Sequence, residues 1–264
     1  MFVDDPLDEA ALNRQLVRPG SLWRQIHVVD ETGSTNADLA GLARAGEPAG
    51  QVLITNFQSA GRGRQGRTWS APPGTSIALS LLVRPVDAAA TRWTWLPLLA
   101  GLAVVEGLSR AVDVLAVLKW PNDVLVVGRK ICGVLAERVE TPTGPACVIG
   151  IGLNVALTEE QLPVPTASSL ALVRPGHVPA RQPLIAAILA EFATVFRRWE
   201  GGDDTISARY ADQCDTIGRA VRVMLADDRS VEGQAQGIDA DGRLLVQTSA
   251  GVEVFGAGDV VHLR

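Results

Sequence analysis

The sequence predicts an α+β protein in which a mixed β-sheet is backed by helices and is followed by a small C-terminal β-barrel. Over residues 22–213, short apolar, β-branched segments alternate with stretches of helical periodicity. Beyond Gly218, five short strands follow at close intervals with turn signals between them, which is typical of a small barrel. The chain is accordingly divided into a lead-in (1–24), a large domain (25–216) and a barrel domain (217–264).

Composition, net charge and cysteine spacing argue against several classes of protein. The 264 residues are 47% hydrophobic and 20% charged, as in ordinary globular proteins. A net charge of −5 argues against a general nucleic-acid binder, because affinity for phosphate backbones requires a surplus of lysine and arginine. The three cysteines form no C-x-x-C pair, so neither a disulfide framework nor a cysteine zinc site is predicted. The acidic start and the short apolar runs predict a soluble, cytoplasmic protein.

The first half of the chain places polar residues where predicted strands and helices meet. Leu22 to Val29 is apolar and β-branched enough for a strand, and a helix follows from about Ser34, with Gly46 as its end. Ser, Thr and Asn are preferred helix caps because they accept hydrogen bonds from free first-turn amides. Capping alone accounts for one of Ser34, Thr35 and Asn36, so the surplus hydroxyl and amide can face a ligand at the helix start.

The remaining elements follow from the same patterns. In the large domain we predict strands at Gln51–Phe57, Ile77–Val83, Val112–Leu118, Val124–Val127, Ile131–Val139 and from Cys147 through Ile151 towards Asn154, and helices from Thr91 to about Ser109, at Gln182–Trp199 and at Thr205–Gln213. Residues 159–179 are predicted to be irregular. The barrel strands are Val221–Leu225, Val231–Ile238, Leu244–Thr248, Val252–Phe255 and Val260–Leu263, with turn signals at Asp227-Asp228, Asp241-Gly242 and Ala250-Gly251.

The segment Gly61–Trp69, hereafter the basic loop, interleaves three arginines with three glycines. Glycines allow the backbone to move, and neighbouring guanidinium groups repel one another unless an anion gathers them. A solvated surface loop is the simpler interpretation of this segment taken alone. Because the loop connects two core strands, its ends are held while its tip can move, as in a lid.

A second charged segment is Lys119-Trp120-Pro121-Asn122-Asp123. Proline makes this a rigid turn that can hold a cation and a carboxylate close together. Taken alone, the two charged residues are more often a surface ion pair, but with Trp120 and Pro121 between them and a core strand on each side a site is an equally good interpretation. Asp123 can hold Mg²⁺, which takes one or two carboxylates together with substrate phosphates. Lys119 can face a phosphate, and Lys130 can face a carboxylate or carbonyl.

Two basic clusters, a candidate metal carboxylate and a polar helix start suggest a site for two anions. Joining a carboxylate to ATP requires cationic groups that offset repulsion and stabilise the charge developing at the α-phosphate. The acyl-adenylate formed is a mixed anhydride that water destroys, which favours a closing loop.

Five motifs together resemble those of the biotin protein ligases, in the same order and spacing, from about residue 26 to the end. They are Gly33-Ser34-Thr35-Asn36; Gln58 with the basic loop; Lys119–Asp123; Arg129-Lys130 with Gly133; and Gly150-Ile151-Gly152-Leu153-Asn154-Val155. The resemblance implies the class II synthetase-like fold of biotin and lipoate ligases with an SH3-like barrel. It also implies that biotin and ATP form biotinyl-5′-AMP, from which biotin passes to a lysine of a carrier domain.

The resemblance also implies roles for individual residues. For biotin they are Ser34, Thr35, Asn36, Gln58, Gly61, Arg62, Gly63, Arg64, Trp69, Lys130 and Gly133. For ATP they are Arg62, Arg64, Arg67, Lys119, Asn122, Asp123 and Asn154. Lys130, Arg64 and Asp123 are the expected catalytic residues, and Asp123 is the expected Mg²⁺ ligand.

The expected partner is the biotin carboxyl carrier domain of a biotin-dependent carboxylase, with no DNA and no membrane, and the expected state is a monomer or weak homodimer. The residues before the first strand are too few for the helix-turn-helix domain of some bacterial members, so we expect no repressor function. Gly33 and Ser59 depart from many relatives without disabling the chemistry. A lipoate or octanoate ligase of the same architecture and a nonenzymatic nucleic-acid-binding protein are the alternatives.

Overall fold

The computed structural model describes residues 5–86, 90–225 and 229–263. Within these ranges the strands form two separate sheets, of seven and five strands, and the helices pack on the larger one. The predicted α+β class is confirmed. The boundaries proposed at residues 24 and 216 stay a prediction.

The larger sheet has the strand order β1-β2-β3-β7-β6-β5-β4. Its strands are β1 (Gln25–Thr32), β2 (Gln51–Gln58), β3 (Ser76–Val83), β4 (Val117–Lys119), β5 (Asp123–Val126), β6 (Arg129–Val139) and β7 (Ala146–Asn154). The pair β1 and β2 is parallel and every other pair is antiparallel, so the sheet is mixed as predicted.

Helices cover both faces of this sheet. They are α1 (Glu9–Leu16), α2 (Thr35–Arg44), α3 (Trp95–Val112), α4 (Leu170–Val173), α5 (Arg181–Glu200) and α6 (Thr205–Gln213). A small apolar cluster joins α2 to one face, and the main core lies between the other face and α3 and α5. Every residue of β3 is buried because this central strand is covered on both sides.

The two core faces explain the positions of polar residues on β3. Leu79 and Leu81 belong to the main core, whereas Leu82 packs in the small cluster with Leu39 of α2. Since alternate residues of a strand share a face, Ser80 lies on the side of α2. The α2 side of the sheet is therefore the side that carries polar residues at its centre.

The apolar segment around α3 is longer than predicted. The helical stretch Thr91–Val112 contains an 18-residue window with a mean hydropathy of 1.4, so it is long and apolar enough to cross a membrane by length and composition. Of that apolar window, 67% is buried inside the fold, largely against α5 and the sheet. Pro97 lies in the first turn of α3, where a missing backbone N–H costs little.

Two predicted elements differ from the structure. The strand predicted at Val112–Leu118 is wrong over most of its length, because α3 runs to Val112 and the left-handed Asp113 ends it. Only Val117–Lys119 pairs as a strand. The region 159–179, predicted to be irregular, contains the short helix α4, whose first turn is capped by the Ser169 hydroxyl.

The C-terminal sheet is antiparallel with the strand order β11-β10-β9-β8-β12, consistent with the expected SH3-like fold. Its strands are β8 (Ala220–Met224), β9 (Ser230–Ile238), β10 (Leu244–Thr248), β11 (Gly251–Phe255) and β12 (Asp259–His262), each within two residues of its prediction. The predicted turn at Asp227-Asp228 lies outside the described residues. Two buried indoles attach this sheet to the rest: Trp120 Nε1 donates to Gly242 O at 3.1 Å, and Trp95 Nε1 donates to Ala240 O at 2.9 Å.

Candidate active site

The start of α2 forms a buried polar cluster against the sheet. Ser34 is the N-cap, and its hydroxyl accepts from Ala37 N at 3.5 Å. Thr35 and Asn36 are 3% and 5% exposed, which is far more burial than a capping role needs. Ser80 Oγ of β3 lies 2.7 Å from Thr35 Oγ1 and 2.6 Å from Asn36 Oδ1. The predicted surplus of polar groups at this helix start is therefore present, and it points into the sheet.

Gln58, the last residue of β2, joins this cluster. Its Oε1 accepts from Thr35 N at 2.8 Å and lies 3.0 Å from Thr35 Oγ1. The following Gly61 has no room for a side chain, because a methyl carbon there would lie 2.5 Å from Trp69 O and 2.9 Å from Gln58 Nε2. The start of the basic loop at Gly61 therefore packs closely against its end at Trp69.

Three glycines on β6 and β7 lie under three of the predicted site residues. Asn36 lies over Gly150, the Trp69 indole over Gly152, and the Lys130 ammonium over Gly133. A methyl carbon on Gly152 would be 2.7 Å from Trp69 Nε1, and one on Gly133 would be 3.0 Å from Lys130 Nζ. The pairs Gly133↔Gly152 and Leu135↔Gly150 keep this row on the α2 side of the sheet. The glycine row lets the side chains of three predicted site residues lie flat on the sheet.

Lys130 and Asp123 form an ion pair next to Gly133. Lys130 Nζ lies 2.5 Å from Asp123 Oδ1, and this oxygen accepts no hydrogen bond of good geometry from any described residue. On β5 and β6, Asp123 pairs with Gly133 and Leu125 pairs with Lys130, with a register shift between Val124 and Leu125. The Lys130 and Asp123 side chains are 40% and 20% exposed, although Asp123 Oδ1 itself is buried.

Residues 166–168, in the region predicted to be irregular, form hydrogen bonds with Lys130 and Asn154. Lys130 N donates to Thr166 O at 2.8 Å, and Ser168 N donates to Lys130 O at 2.7 Å. Asn154 Nδ2 donates to Ser168 O at 2.9 Å. The side-chain amide of Asn154 is therefore used to anchor this segment.

The basic loop is closed onto the C-terminal sheet. Arg64 Nη1 donates to Asn122 Oδ1 at 2.8 Å, and Arg64 Nη2 donates to Gly258 O at 3.2 Å. Asp259 Oδ1 lies 3.7 Å from Arg64 Nη1, and Asp259 also forms an ion pair with Arg67. Arg62 is exposed and forms no hydrogen bond or ion pair through its side chain within the described residues.

Lys119 pairs with Asp123 in the register of β4 and β5, and Asp123 pairs with Gly133, so Lys119 lies on the side of the sheet that carries the glycine row. The Lys119 charge lies near His262 of β12, and the Trp120 indole is buried against Gly242. Asn122 connects the two regions, because its Nδ2 donates to Val134 O at 3.0 Å while its Oδ1 accepts from Arg64. Lys119 is therefore the register neighbour of Asp123, the ion-pair partner of Lys130.

A cavity of about 390 Å³ lies beside this group. It is bounded by Arg64, Trp120 and Asn122, by Trp93 just before α3, and by Gly256 just after β11. Among the residues predicted to bind biotin, only Arg64 contributes to its wall. None of the three glycines lines it, whereas Leu96, Val134 and Cys147 of the main core do, so the cavity is distinct from the glycine row.

The donor set offers limited support for a resident metal. The described residues contain no cluster of three or more His, Cys, Asp or Glu side chains that could hold a metal ion. Burial raises the pKa of Cys132 to about 12, and the nearby Lys130 charge opposes this only in part, so the thiol stays protonated. A single carboxylate such as Asp123 is enough for a Mg²⁺ ion that binds together with substrate phosphates.

Sequence reasoning missed four residues at this site. Ser80 and Glu137 contact the start of α2, Ser168 contacts Lys130, and Asp259 contacts the basic loop. None stands in a motif, and the only available signal was a serine in the otherwise apolar strand Ile77–Val83. Each is recognised by a contact across the fold.

Comparisons with known proteins agree with this fold and arrangement. Residues 28–154 match the model of the biotin/lipoate A/B protein ligase family, and residues 216–263 match the biotin protein ligase C-terminal domain. The chain therefore belongs to the biotin/lipoate A/B protein ligase family. A biotin–[acetyl-CoA-carboxylase] ligase of Mycobacterium tuberculosis is 44% identical, covering 98% of this chain and 97% of that protein. Within the family the chain accordingly belongs with the biotin protein ligases, and it is a ligase.

Solved structures show the same fold. The biotin protein ligase of Aquifex aeolicus in complex with biotin and ATP has a TM-score of 0.77 at 24% identity, covering 92% of this chain and all (100%) of that one. The Leishmania major enzyme in complex with biotinyl-5-AMP has a TM-score of 0.60 at 24% identity, covering 89% and 99%.

Proposed function

We propose that this protein activates biotin with ATP and then attaches it to a lysine of a biotin carboxyl carrier domain. In the first step a biotin carboxylate oxygen attacks the α-phosphorus of ATP, and pyrophosphate leaves. In the second, the acceptor lysine amine attacks the acyl carbon, and AMP leaves. The glycine row carries the proposal, since it lays Asn36, Trp69 and Lys130 on one open stretch of sheet.

The two ends of this row suit the two ends of biotin. At α2 the hydroxyls and amides of Ser34, Thr35 and Gln58 offer hydrogen bonds to a urea ring. At the other end Lys130 supplies a positive charge for the carboxylate, with the Trp69 indole between them as an apolar wall. We assign the biotin site to these residues together with Gly133.

The nucleotide is assigned to the side of Lys130 nearest the basic loop. Its phosphates need cations, and Arg62, Arg64 and Arg67 provide three within one short loop. Lys130, beside Asp123, would offset the charge that develops as the carboxylate oxygen joins the α-phosphorus. Lys119, which pairs with Asp123 in the strand register, stays a proposed phosphate contact.

Mg²⁺ is retained as a proposed partner of ATP. Asp123 would be its protein ligand, because its Oδ1 accepts no well-formed hydrogen bond from a described residue. When bound, the ion supplies positive charge to the phosphates. Lys130 must then leave Asp123 for the substrate carboxylate.

The acceptor and location follow from the same chemistry. The 44% identical relative is named for acetyl-CoA carboxylase, which favours a carboxylase carrier domain as the partner here. The three cysteines are free and buried, as suits a reducing compartment that also holds ATP. We therefore propose the cytoplasm as the location.

Biotin-dependent exchange between ATP and labelled pyrophosphate tests the first step. We expect exchange with biotin and none with lipoate or octanoate at equal concentration. Exchange with lipoate alone would assign the chain to the lipoate branch of its family. Labelling of a purified carrier domain, with a lysine-to-arginine carrier as the control, tests the second step.

A further inference from the structure

The linker between α6 and the C-terminal sheet extends the larger sheet at its β4 edge. Leu118 of β4 pairs with Cys214 in a parallel bridge, and Asp215 N donates to Leu118 O at 2.8 Å. The next rung of such a parallel ladder would join Trp120 N to Asp215 O. In this structure Asp215 O accepts from the Arg219 side chain, through Nε, at 2.7 Å. The backbone ladder therefore stops at Leu118.

The hydroxyl of Thr216 takes the place of the missing rung. Its Oγ1 accepts from Trp120 N at 3.0 Å, and the two residues are 0% and 1% exposed. Because the next residue, Pro121, has no N–H, Trp120 N is the last backbone donor of the chain before Asn122. A buried N–H group needs a partner, so loss of the Thr216 hydroxyl would leave this donor unpaired or displace the backbone that carries it.

Thr216 is itself held by the C-terminal sheet. Arg219 N donates to Thr216 O at 3.2 Å and closes a turn in which Gly218 has a left-handed φ of 83°. Gly218 N donates to Ala235 O of β9 at 2.7 Å. On the other side, His262 Nε2 of β12 lies 3.1 Å from Thr216 Oγ1. The position of the hydroxyl is therefore fixed by the C-terminal sheet and not by the residues that it supports.

The turn from Lys119 to Asp123 carries three of the residues predicted to bind ATP, the third being Asn122. Lys119 and Asp123 are register partners across β4 and β5, and Trp120 N lies between them in the chain. A shift of the backbone at Trp120 therefore changes how these partners face a nucleotide. The proposed urea-ring contacts lie on other elements, at the start of α2 and at Gln58. We expect a change at Trp120 N to affect ATP more than biotin.

We propose that Thr216 is a positioning residue for nucleotide binding, which acts through the backbone of Trp120 on the turn from Lys119 to Asp123. By this route the C-terminal sheet determines where the proposed phosphate and Mg²⁺ contacts lie. The inference rests on the proposed function, in which this turn faces the phosphates of ATP. It assigns a role in the use of ATP to a buried side chain at the junction of the two sheets.

The test compares Thr216→Val, which keeps the shape of the side chain without the hydroxyl, with Thr216→Ser, which keeps the hydroxyl. In the exchange assay we expect Thr216→Val to raise the KM for ATP about tenfold, with the KM for biotin within about twofold. Thr216→Ser should keep both KM values within about twofold of the unaltered protein. Thr248→Val is the matched control, because Thr248 Oγ1 donates to Gly251 O at 2.9 Å beside β11, at the opposite edge of the C-terminal sheet from β12.

Thr216→Cys gives an independent measurement if Thr216→Val does not fold, because a thiol is a weak hydrogen-bond acceptor. Its KM for ATP should be about threefold or more above that of Thr216→Ser. His262→Leu removes the other contact of Thr216 and leaves the bond to Trp120 N, so its KM for ATP should stay within about twofold.

Three results would overturn the proposal. They are an unchanged KM for ATP in folded Thr216→Val or Thr216→Cys protein, an equal rise of the KM for ATP and the KM for biotin, and a His262→Leu variant that reproduces the effect of Thr216→Val. Absence of biotin-dependent exchange in the unaltered protein would instead refute the proposed function.

Discussion

Lys130 and Asp123 are held together by strand register and by a missing side chain. On β5 and β6, Asp123 pairs with Gly133 and Leu125 pairs with Lys130, with a register shift between them. Gly133 leaves the space into which the Lys130 ammonium folds, 2.5 Å from Asp123 Oδ1. A lysine that is 40% exposed and paired to one carboxylate can exchange that partner for a substrate carboxylate. The residue-level prediction concerns this exchange.

Lys130→Ala should lower the rate of biotin-dependent exchange by about 10²–10³-fold, because one preorganised charge at the reacting oxygens is lost. Arg129→Ala is the control, since the neighbouring Arg129 pairs with the exposed Glu159. Its exchange rate should stay within about twofold of the unaltered protein. Thermal unfolding checks that both variants are folded. A folded Lys130→Ala variant with normal exchange would remove Lys130 from the chemistry.

At the scale of elements, strand β7 packs in the main core with one face and lies under the candidate site with the other. Ile149, Ile151 and Leu153 are buried in the main core, while Gly150 and Gly152 lie on the opposite side of the same strand. The large residues stabilise the sheet, and the small ones leave room for Asn36 and Trp69. The strand is therefore part of the core on one face and the floor of the site on the other.

Gly152→Ala should displace the Trp69 indole, because the added methyl carbon would lie 2.7 Å from Nε1. We expect the KM for biotin to rise about tenfold and the free energy of unfolding to fall by about 1–3 kcal/mol, as in other overpacked sites. Gly237→Ala on β9 is the matched control, since a methyl carbon there meets nothing within 4 Å. Equal KM and equal stability in the two variants would contradict the proposed position of Trp69.

Strand β12 carries a histidine whose titration reports on its packing. His262 Nε2 lies 3.1 Å from Thr216 Oγ1, and Asp215 Oδ2 lies 3.7 Å from His262 Nδ1. Burial lowers the pKa of His262 below its ordinary value, helped by the charges of Lys119 and Arg219 and opposed by Asp215. The neutral ring is thus the form that the folded protein favours.

A lowered histidine pKa makes the fold less stable in acid. As the pH falls below about 6.5, the unfolded chain takes up a proton at His262 before the folded one does, so the free energy of unfolding decreases. The decrease ends below the pKa of the folded state. We expect urea unfolding at pH 7.5 and 5.5 to show a larger loss in the unaltered protein than in His262→Gln. Parallel losses would contradict this assignment.

At the scale of the whole molecule, the basic loop connects the two sheets. Arg64 reaches Asn122 beside the larger sheet and Gly258 beside β12, and Asp259 pairs with both Arg64 and Arg67. Substrate phosphates would compete with Asp259 for these arginines. The loop can therefore exchange a contact with the C-terminal sheet for a contact with the nucleotide.

Asp259→Asn should loosen the loop without unfolding the C-terminal sheet. Since Arg67 is 64% exposed, the ion pairs are worth at most about 1 kcal/mol, which predicts trypsin cleavage after Arg64 or Arg67 about two- to fivefold faster. Mass spectrometry identifies the cleaved bonds. Glu232→Gln is the control, because Glu232 pairs with Arg222 within the same sheet and away from the loop. Equal cleavage of both variants would show that Asp259 does not hold the loop.

Local patterns predicted much of the fold and the members of the site. The cap of α2 and the periodicity of α2, α5 and α6 are local, and these helices lie within two residues of their predicted bounds. The error at Val112–Leu118 arose because an apolar, β-branched run does not by itself show where pairing begins: residues 113–116 connect α3 to β4, and only the three residues that lie beside β5 pair as a strand.

The sequence by itself determined which residue types are available: a polar helix start, a loop of arginines and glycines, and a lysine and an aspartate beside short strands. Only the tertiary structure decided which of them meet. Glu137 reaches Asn36 across 101 residues, and Arg64 reaches Gly258 across 194. Such pairs depend on the register of β6 against β7 and on how the C-terminal sheet packs. Periodicity cannot encode these properties, because it describes which face a residue takes and not what lies opposite it.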